Sequence, residues 1–579
     1  MMNYELRIMN YEMRLPFRSV GIALLSLCLF FYANVVLAQP DSVVISGRVL
    51  NLTARLYREA PTITFTRNNI LKPQSELTRL APLQADGSFT VTMPLIYPQE
   101  EVYLDYGGKV YTTFLAAPGS LELTFDADSM YKAKRLFYFA GVNAEANNQY
   151  IQFMTEEGRL MKDNKRFGEA FFETFWDMDA DDARRALQRR ADLRMSALLP
   201  VAQKGGVSPA LREWVEAIVS EEQLSALYEH ALVTNTEVNK STEDSLRRLA
   251  LGVMTFQRVQ WVIRFGDYAD RLLEKRVFQN PTRAKSLRVE TMAELIKRYV
   301  KPLSGEETSR LNDMIQQGSA TSGGLDFLNT LYARDRRTMD LVTMIEKKNR
   351  SYADEFGQTA TDLLSARLLV QRFYQSSLSD QELLYDYIKT KIEVPAIGQS
   401  LNELYQLEVK DSLYIRLIDK RTDITDTPTE VLSGIWLSQS RGNGKDWIKK
   451  IEKMYEGKTL YVLKWSLFDD QSRNEVLYAP ALRAQLPADV EFLYVHLPNS
   501  EMVNSPSLWK KFIVRNKLKG VHMFVTDSQA VQLMFKLNPL ANSTYGIIAP
   551  NGKYYSRNAP GPSNGQRAAQ AILDARGGR

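Results

Sequence analysis

The stretch Lys464–Glu475 reads KWSLFDDQSRNE. It follows an unbroken apolar run, Thr459–Leu463 (TLYVL), and leads into a segment of helical periodicity, NEVLYAPALRAQL. A buried strand that delivers a tryptophan and then a helix start is a place where α/β proteins put chemistry, because unpaired backbone N–H groups there stabilise an anion. Asp469 or Asp470 can accept those N–H groups, a cap worth about 1 kcal/mol. Trp465 and Phe468 are then expected to pack around the strand end.

Other candidate chemistry is weaker. EGKT (Glu456–Thr459) imitates a phosphate loop, but Glu452 stands where its first glycine belongs and the loop precedes its strand. His230, His496 and His522 are far apart in sequence and show no metal-ligand spacing, so each reads as a core or surface histidine. There is no GxSxG nucleophile elbow. DADDARR, with Asp179, Asp181 and Asp182, reads as the acidic start of a helix. FFETFW (Phe171–Trp176) reads as buried core, with an interaction surface as the alternative.

The elements that must position the turn come from a chain of 579 residues, enough for two to four domains. Its 45% hydrophobic and 24% charged residues are those of a globular protein. A formal charge of +5 makes no electrostatic case for nucleic acid. Residues 1–38 read as a cleaved signal peptide: Arg14 and Arg18 precede the apolar Val20–Ala33, and Val36-Leu37-Ala38 offers a cleavage site before Gln39. That apolar stretch is shorter than the about 20 residues of a membrane span. Upstream, MNYELRI and MNYEMRL repeat in tandem, which points to translation starting at Met13. The one cysteine, Cys28, lies inside the signal and follows Leu27, against the small residue a lipid anchor needs. Cleavage after Ala38 leaves a chain that can form neither a disulfide nor a thiolate metal site.

From Val43 to Phe125, ITF, SFTVTM, EVYLDY and SLELTFD alternate apolar and polar residues between the turns Asp86-Gly87, Gly107-Gly108 and Pro118-Gly119. This spacing predicts a small β-sandwich over 41–130. After a linker, FAGVNAEANNQY (Phe139–Tyr150), helical periodicity holds over 145–440 with no sheet of its own. Ser208-Pro209 caps one helix, and Ser379-Asp380-Gln381-Glu382 reads as a capping box for another. Over 450–579 strands and helices alternate, the pattern of an α/β sheet covered on both faces.

This last region resembles the thioredoxin-like domain of the TlpA/ResA type, in large envelope proteins of Bacteroidota that join it to an N-terminal β-domain and a helical segment. GKTLYVLKWSLFDDQSRNE is similar to the family pattern GKvvlvdFWAtWCgpCr.e, matching at Gly457, Lys458, Trp465, Arg473 and Glu475. FLYVHLPNSE, SPSLWKKFI, VTDSQAVQLMFKL and STYGIIAPNGKYY follow in the family's order, and DGSFTV, APGSLELTFDA and FAGVNAEANN resemble its N-terminal parts. Laid on the pattern, the two catalytic cysteines fall on Asp469 and Ser472 and the cis-proline on Ser543, before Thr544. Neither a carboxylate nor a hydroxyl replaces a thiolate in disulfide exchange. The resemblance thus implies a redox-inactive thioredoxin-like module, with no cofactor or metal, kept for binding or scaffolding. Its groove would be lined by Trp465, Phe468, Asp470 and Thr544. Its partner is an unidentified protein or peptide of the periplasm or cell envelope. The alternative function is the thiol-disulfide oxidoreductase of the family itself.

Overall fold

Alternating burial along Ser42–Asp126 builds two sheets. The computed structural model describes residues 42–578 apart from 73–76, 131–135, 169, 240–241, 243–251, 280–286, 374–375, 468, 499–505 and 538–544. The expected signal peptide and Cys28 therefore lie outside the described residues. The first sheet has the order β4 (Ser88–Pro94), β1 (Ser42–Leu50), β7 (Gly119–Asp126), β8 (Phe137–Gly141). The second runs β3 (Thr78–Pro82), β2 (Thr62–Arg67), β5 (Gln99–Tyr106), β6 (Val110–Ala116). β1 lies antiparallel to β4, with Ile45 opposite Val91, and parallel to β7, with Ile45 beside Leu121. Ile45, Phe89 and Leu121 from one sheet and Phe65, Leu104 and Phe114 from the other share a single apolar core. The Asp86-Gly87 turn needs its glycine, whose φ of 81° is one that side chains resist.

The expected linker Phe139–Tyr150 is no linker. Its first residues belong to β8 and its last to helix Ala144–Asp163. Helices then follow one another, among them Ala180–Ser196, Pro209–Thr234, Phe256–Gln279, Val289–Tyr299 and Arg336–Phe356. Their starts follow local chemistry: Ser208 Oγ accepts the Leu211 N–H at 3.3 Å ahead of Pro209, and Asp179 accepts the Asp182 N–H at 2.8 Å. In FFETFW, Phe171 and Phe175 are buried with Leu187 and Ala226. The helix expected to start from a box at Ser379 instead begins at Leu378, capped by Ser377, which accepts the Asp380 N–H at 3.2 Å. A two-residue strand, β9 (Val253–Met254), pairs parallel with β5.

The helical stretch ends before residue 440. β10 (Thr429–Leu432) and β11 (Ile435–Ser438) form a hairpin and open a seven-stranded sheet in which the remaining strands lie beyond residue 450. Its order is β10, β11, β14 (Gly520–Phe524), β13 (Val490–His496), β12 (Thr459–Trp465), β15 (Tyr545–Ile548), β16 (Tyr554–Ser556). β11, β14, β13 and β12 are mutually parallel, β15 runs antiparallel to β12, and β16 runs antiparallel to β15. Helices cover both faces: Gly444–Met454 and Asp527–Leu537 pack on Leu460, Val462 and Val495, while Pro506–Arg515 and Gly565–Arg576 pack on Tyr461, Leu463 and Phe492. Every residue of β12 is consequently buried, which is why it reads as an unbroken apolar run. NEVLYAPALRAQL forms two short helices, Asp470–Val476 and Ala479–Ala484, because Pro480 can sit only in a first turn.

By compactness the chain divides into one unit up to Arg367 together with Lys391–Leu401, and a second of Leu368–Thr390 with Asn402 onward. The first thus combines the β region with most of the helices. Among the described residues no helix is long and apolar enough to cross a membrane.

Candidate functional site

The sheet of the second unit brings the ends of β12 and β13 side by side, with Trp465 paired to His496. In open α/β sheets ligands sit outside the carboxyl ends of the strands. Trp465 is fully buried there, its ring 5.1 Å from that of His496 and 5.0 Å from that of Phe512. The chain leaves β12 through Ser466 and Leu467 and turns into helix Asp470–Val476.

Asp469 is the residue that caps this helix. It stands in extended backbone and its carboxylate accepts the Ser472 N–H at 3.1 Å. Ser472 closes the turn from the other side: its hydroxyl accepts the Ser466 N–H at 3.1 Å and donates to the Asp469 carbonyl at 3.4 Å. Arg473 adds a bond from its guanidinium to the Leu467 carbonyl at 3.2 Å. Asp469 and Ser472, the two positions that the resemblance lays on cysteines, are thus joined as a helix cap. Asp470 is the first helical residue, and Phe468, Ser543 and Thr544 lie outside the described residues.

Three further side chains at this end escape sequence reasoning. His496 accepts the Leu467 N–H on Nε2 at 3.2 Å, which places its proton on Nδ1, and burial pushes it down to about 3. Lys464 is buried on the sheet face opposite Trp465, and burial pushes its amine down to about 8. Tyr545 stands opposite Leu463 at the start of β15, and burial, then the charges of Glu475 and Asp469, hold its phenol protonated. Only strand register brings them here. A polar residue ending an apolar run, as His496 does after FLYV in VEFLYVH, is the one local signal.

This arrangement restricts the chemistry. Ser472 has its hydroxyl engaged with backbone, and the acceptor nitrogen of His496 is taken by Leu467, so no serine–histidine pair is set for nucleophilic attack. Among the described residues no group of three or more His, Cys, Asp or Glu is placed to hold a metal ion. Four buried polar atoms remain at this end, since Trp465 Nε1, Ser466 Oγ, His496 Nδ1 and the Tyr545 hydroxyl have no hydrogen-bond partner among the described residues, an uncommon state for buried polar atoms.

Compared with family models, with curated proteins and with solved structures, the chain gives no match. The site is therefore read from its own geometry. Asp469→Ala is expected to cost about 1 kcal/mol of stability in the second unit, because the Ser472 N–H loses its acceptor, and Asp469→Asn to cost a few tenths. Amide exchange in β12 and β13 measures both, and an Asp469→Ala protein as protected as the parent would refute the cap.

Proposed function

We propose that the second unit is a thioredoxin-type module that has lost its redox chemistry and serves as a peptide-binding or scaffolding part of an envelope protein. The observation that carries this reading is the cap itself: Asp469 and Ser472, at the positions of the family's dithiol, bond to the turn instead of presenting a reactive pair. Strand order supports it, since β12, which delivers the turn, lies between parallel β13 and antiparallel β15, and β16 completes the edge. A chain whose only cysteine is Cys28 has no second thiol for an intramolecular disulfide, which argues against the oxidoreductase alternative.

Binding needs no cysteine. An extended segment held by main-chain hydrogen bonds gains affinity from the backbone and selectivity from side pockets. Trp465, Ser466, His496 and Tyr545 supply buried polar atoms at the strand ends for such a ligand. The periplasm or cell envelope is the proposed location, on the strength of the apolar Val20–Ala33 segment.

The test is calorimetric titration of the full chain with unstructured ten-residue peptides, beside an insulin-disulfide reduction assay. Saturable peptide binding that Asp469→Lys weakens at least tenfold, with no insulin reduction, is the expected result. Insulin reduction would restore the oxidoreductase reading, and peptide binding indifferent to Asp469→Lys would move the function away from this turn.

A further inference from the structure

The first unit holds a buried carboxylate with no counter-charge among the described residues. Glu101, on β5, is 8% exposed. Its oxygens accept from Trp214 Nε1, on helix Pro209–Thr234, at 2.6 Å and from the Phe256 N–H, at the start of helix Phe256–Gln279, at 2.6 Å. One carboxylate thereby joins a strand and two helices. Beside it β9 lies parallel to β5, and the Gln99 N–H donates to the Gly252 carbonyl at 3.2 Å.

Among the described residues, the charges near Glu101 are negative or already committed. On β5 itself, Glu100 is paired with Arg67 of β2 at 3.5 Å and accepts the Tyr97 N–H. Helix Pro209–Thr234 contributes Glu221, whose carboxylate holds Arg258 of helix Phe256–Gln279 at 2.6 Å and also accepts from Thr255. Helix Ala144–Asp163 contributes the neutral phenol of Tyr150, stacked on Trp214 with centroids 3.8 Å apart. Behind it, Arg194 is held by Glu157 and Glu222. Among the described residues, two neutral N–H donors are all that stabilises an ionised Glu101. A buried carboxylate in that position is costly, and it recovers its hydration only if the seam opens.

We propose that Glu101 is a pH sensor for the seam between β5 and the start of helix Phe256–Gln279, closed when the carboxyl is protonated and loosened as rising pH ionises it. Burial, opposed by the Phe256 and Trp214 bonds and reinforced by Glu221, pushes the closed-state carboxyl up to about 7 from an ordinary value of 4.5. Protons are bound more tightly closed than open, so closure is fully favoured below about pH 4.5 and weakens as pH rises through about 7. Between pH 5 and pH 7.5 these values shift the open-to-closed ratio by about fiftyfold. This response belongs to the first unit and is independent of peptide binding by the second.

Amide exchange on the full chain at pH 5 and pH 7.5, each rate divided by its intrinsic chemical rate, tests the sensor. Protection in segments covering 99–106 and 253–262 is expected to fall about fiftyfold at the higher pH, with little change in β1 and β7. In Glu101→Gln the amide group confronts an N–H donor, so protection is lower but equal at the two pH values. A parent protein with equal protection at both, or a pH response that survives in Glu101→Gln, overturns the proposal. Carbon-13 detection of the Glu101 carboxyl in the parent serves even where the variant does not fold: an inflection between pH 6 and pH 8 supports the sensor, and one below pH 5 overturns it.

Discussion

Lowering the pH from 7 to 4 is expected to remove about 7 kcal/mol of stability from the α/β region, enough to unfold a typical domain. His496 and His522 are buried in the layer between the sheet and helix Pro506–Arg515, stacked on Phe524 and Tyr494 respectively. His522 donates from Nε2 to the Leu518 carbonyl at 2.7 Å, His496 accepts from Leu467, and burial keeps each ring neutral in the folded state. Burial pushes both down to about 3 from 6.5. The unfolded chain binds these protons below about pH 6.5 and the folded chain does not. Stability is therefore present above that value and is lost as pH falls towards 3, by about 1.4 kcal/mol per unit for each histidine. Amide exchange in β13 and β14 between pH 7 and pH 4 measures the slope, and His522→Phe should halve it. A flat profile over that range would mean that both rings reach water, and a halved slope in the parent that one of them does. The first unit should respond in the opposite sense at Glu101, so the pH dependence of the two units is separable by segment.

A second large effect is expected at Glu408. Its carboxylate is fully buried on helix Pro395–Asp419 and pairs with Lys511 and Arg515 of helix Pro506–Arg515. The Lys511 ammonium also donates to the Phe373 carbonyl at 2.6 Å, and the Arg515 guanidinium lies 5.6 Å over the Phe373 ring. Burial pushes the Lys511 amine down and Glu408 pulls it back up. Glu408→Leu removes the buried carboxylate that pairs with both cations and leaves them out of water, a loss of about 3–5 kcal/mol. Glu408→Leu with Lys511→Met and Arg515→Leu removes the whole cluster and is expected to cost less than the single change, because no unpaired charge remains. Urea unfolding followed at Trp509, which lies on the same helix, compares the two; a triple variant weaker than the single one would show that the ion cluster stabilises beyond its burial cost.

Much of the site's frame is legible along the chain. β12 stands out because helices cover both its faces and every residue is apolar or buried, whereas β10 and β11 are four residues each, partly exposed, and carry too few alternations to be separated from the end of a helical stretch. Asp469 is readable as a cap because capping depends on the next three residues alone. The box read at Ser379 failed for the same local reason: Ser377 offers an equivalent hydroxyl two residues earlier, and the helix starts there. Tyr545 and Lys464 gave no such handle, and His496 only its polarity at a strand end. The Leu467 N–H that His496 accepts lies 29 residues away in sequence, and Leu463, which pairs with Tyr545, lies 82 away.

By itself the sequence determined the kinds of element, most of their caps and turns, and the absence of a second thiol, since these depend on residue type and on neighbours within about four positions. Tertiary structure alone decided which polar groups are taken out of water and beside what. Register along β12, β13 and β15 put Trp465, His496 and Tyr545 at one sheet end, and β5 against two helices left Glu101 with neutral donors only. A carboxylate or an imidazole has the same intrinsic chemistry wherever it occurs in a chain. Its charge state follows from desolvation and from the partners that distant segments bring to it.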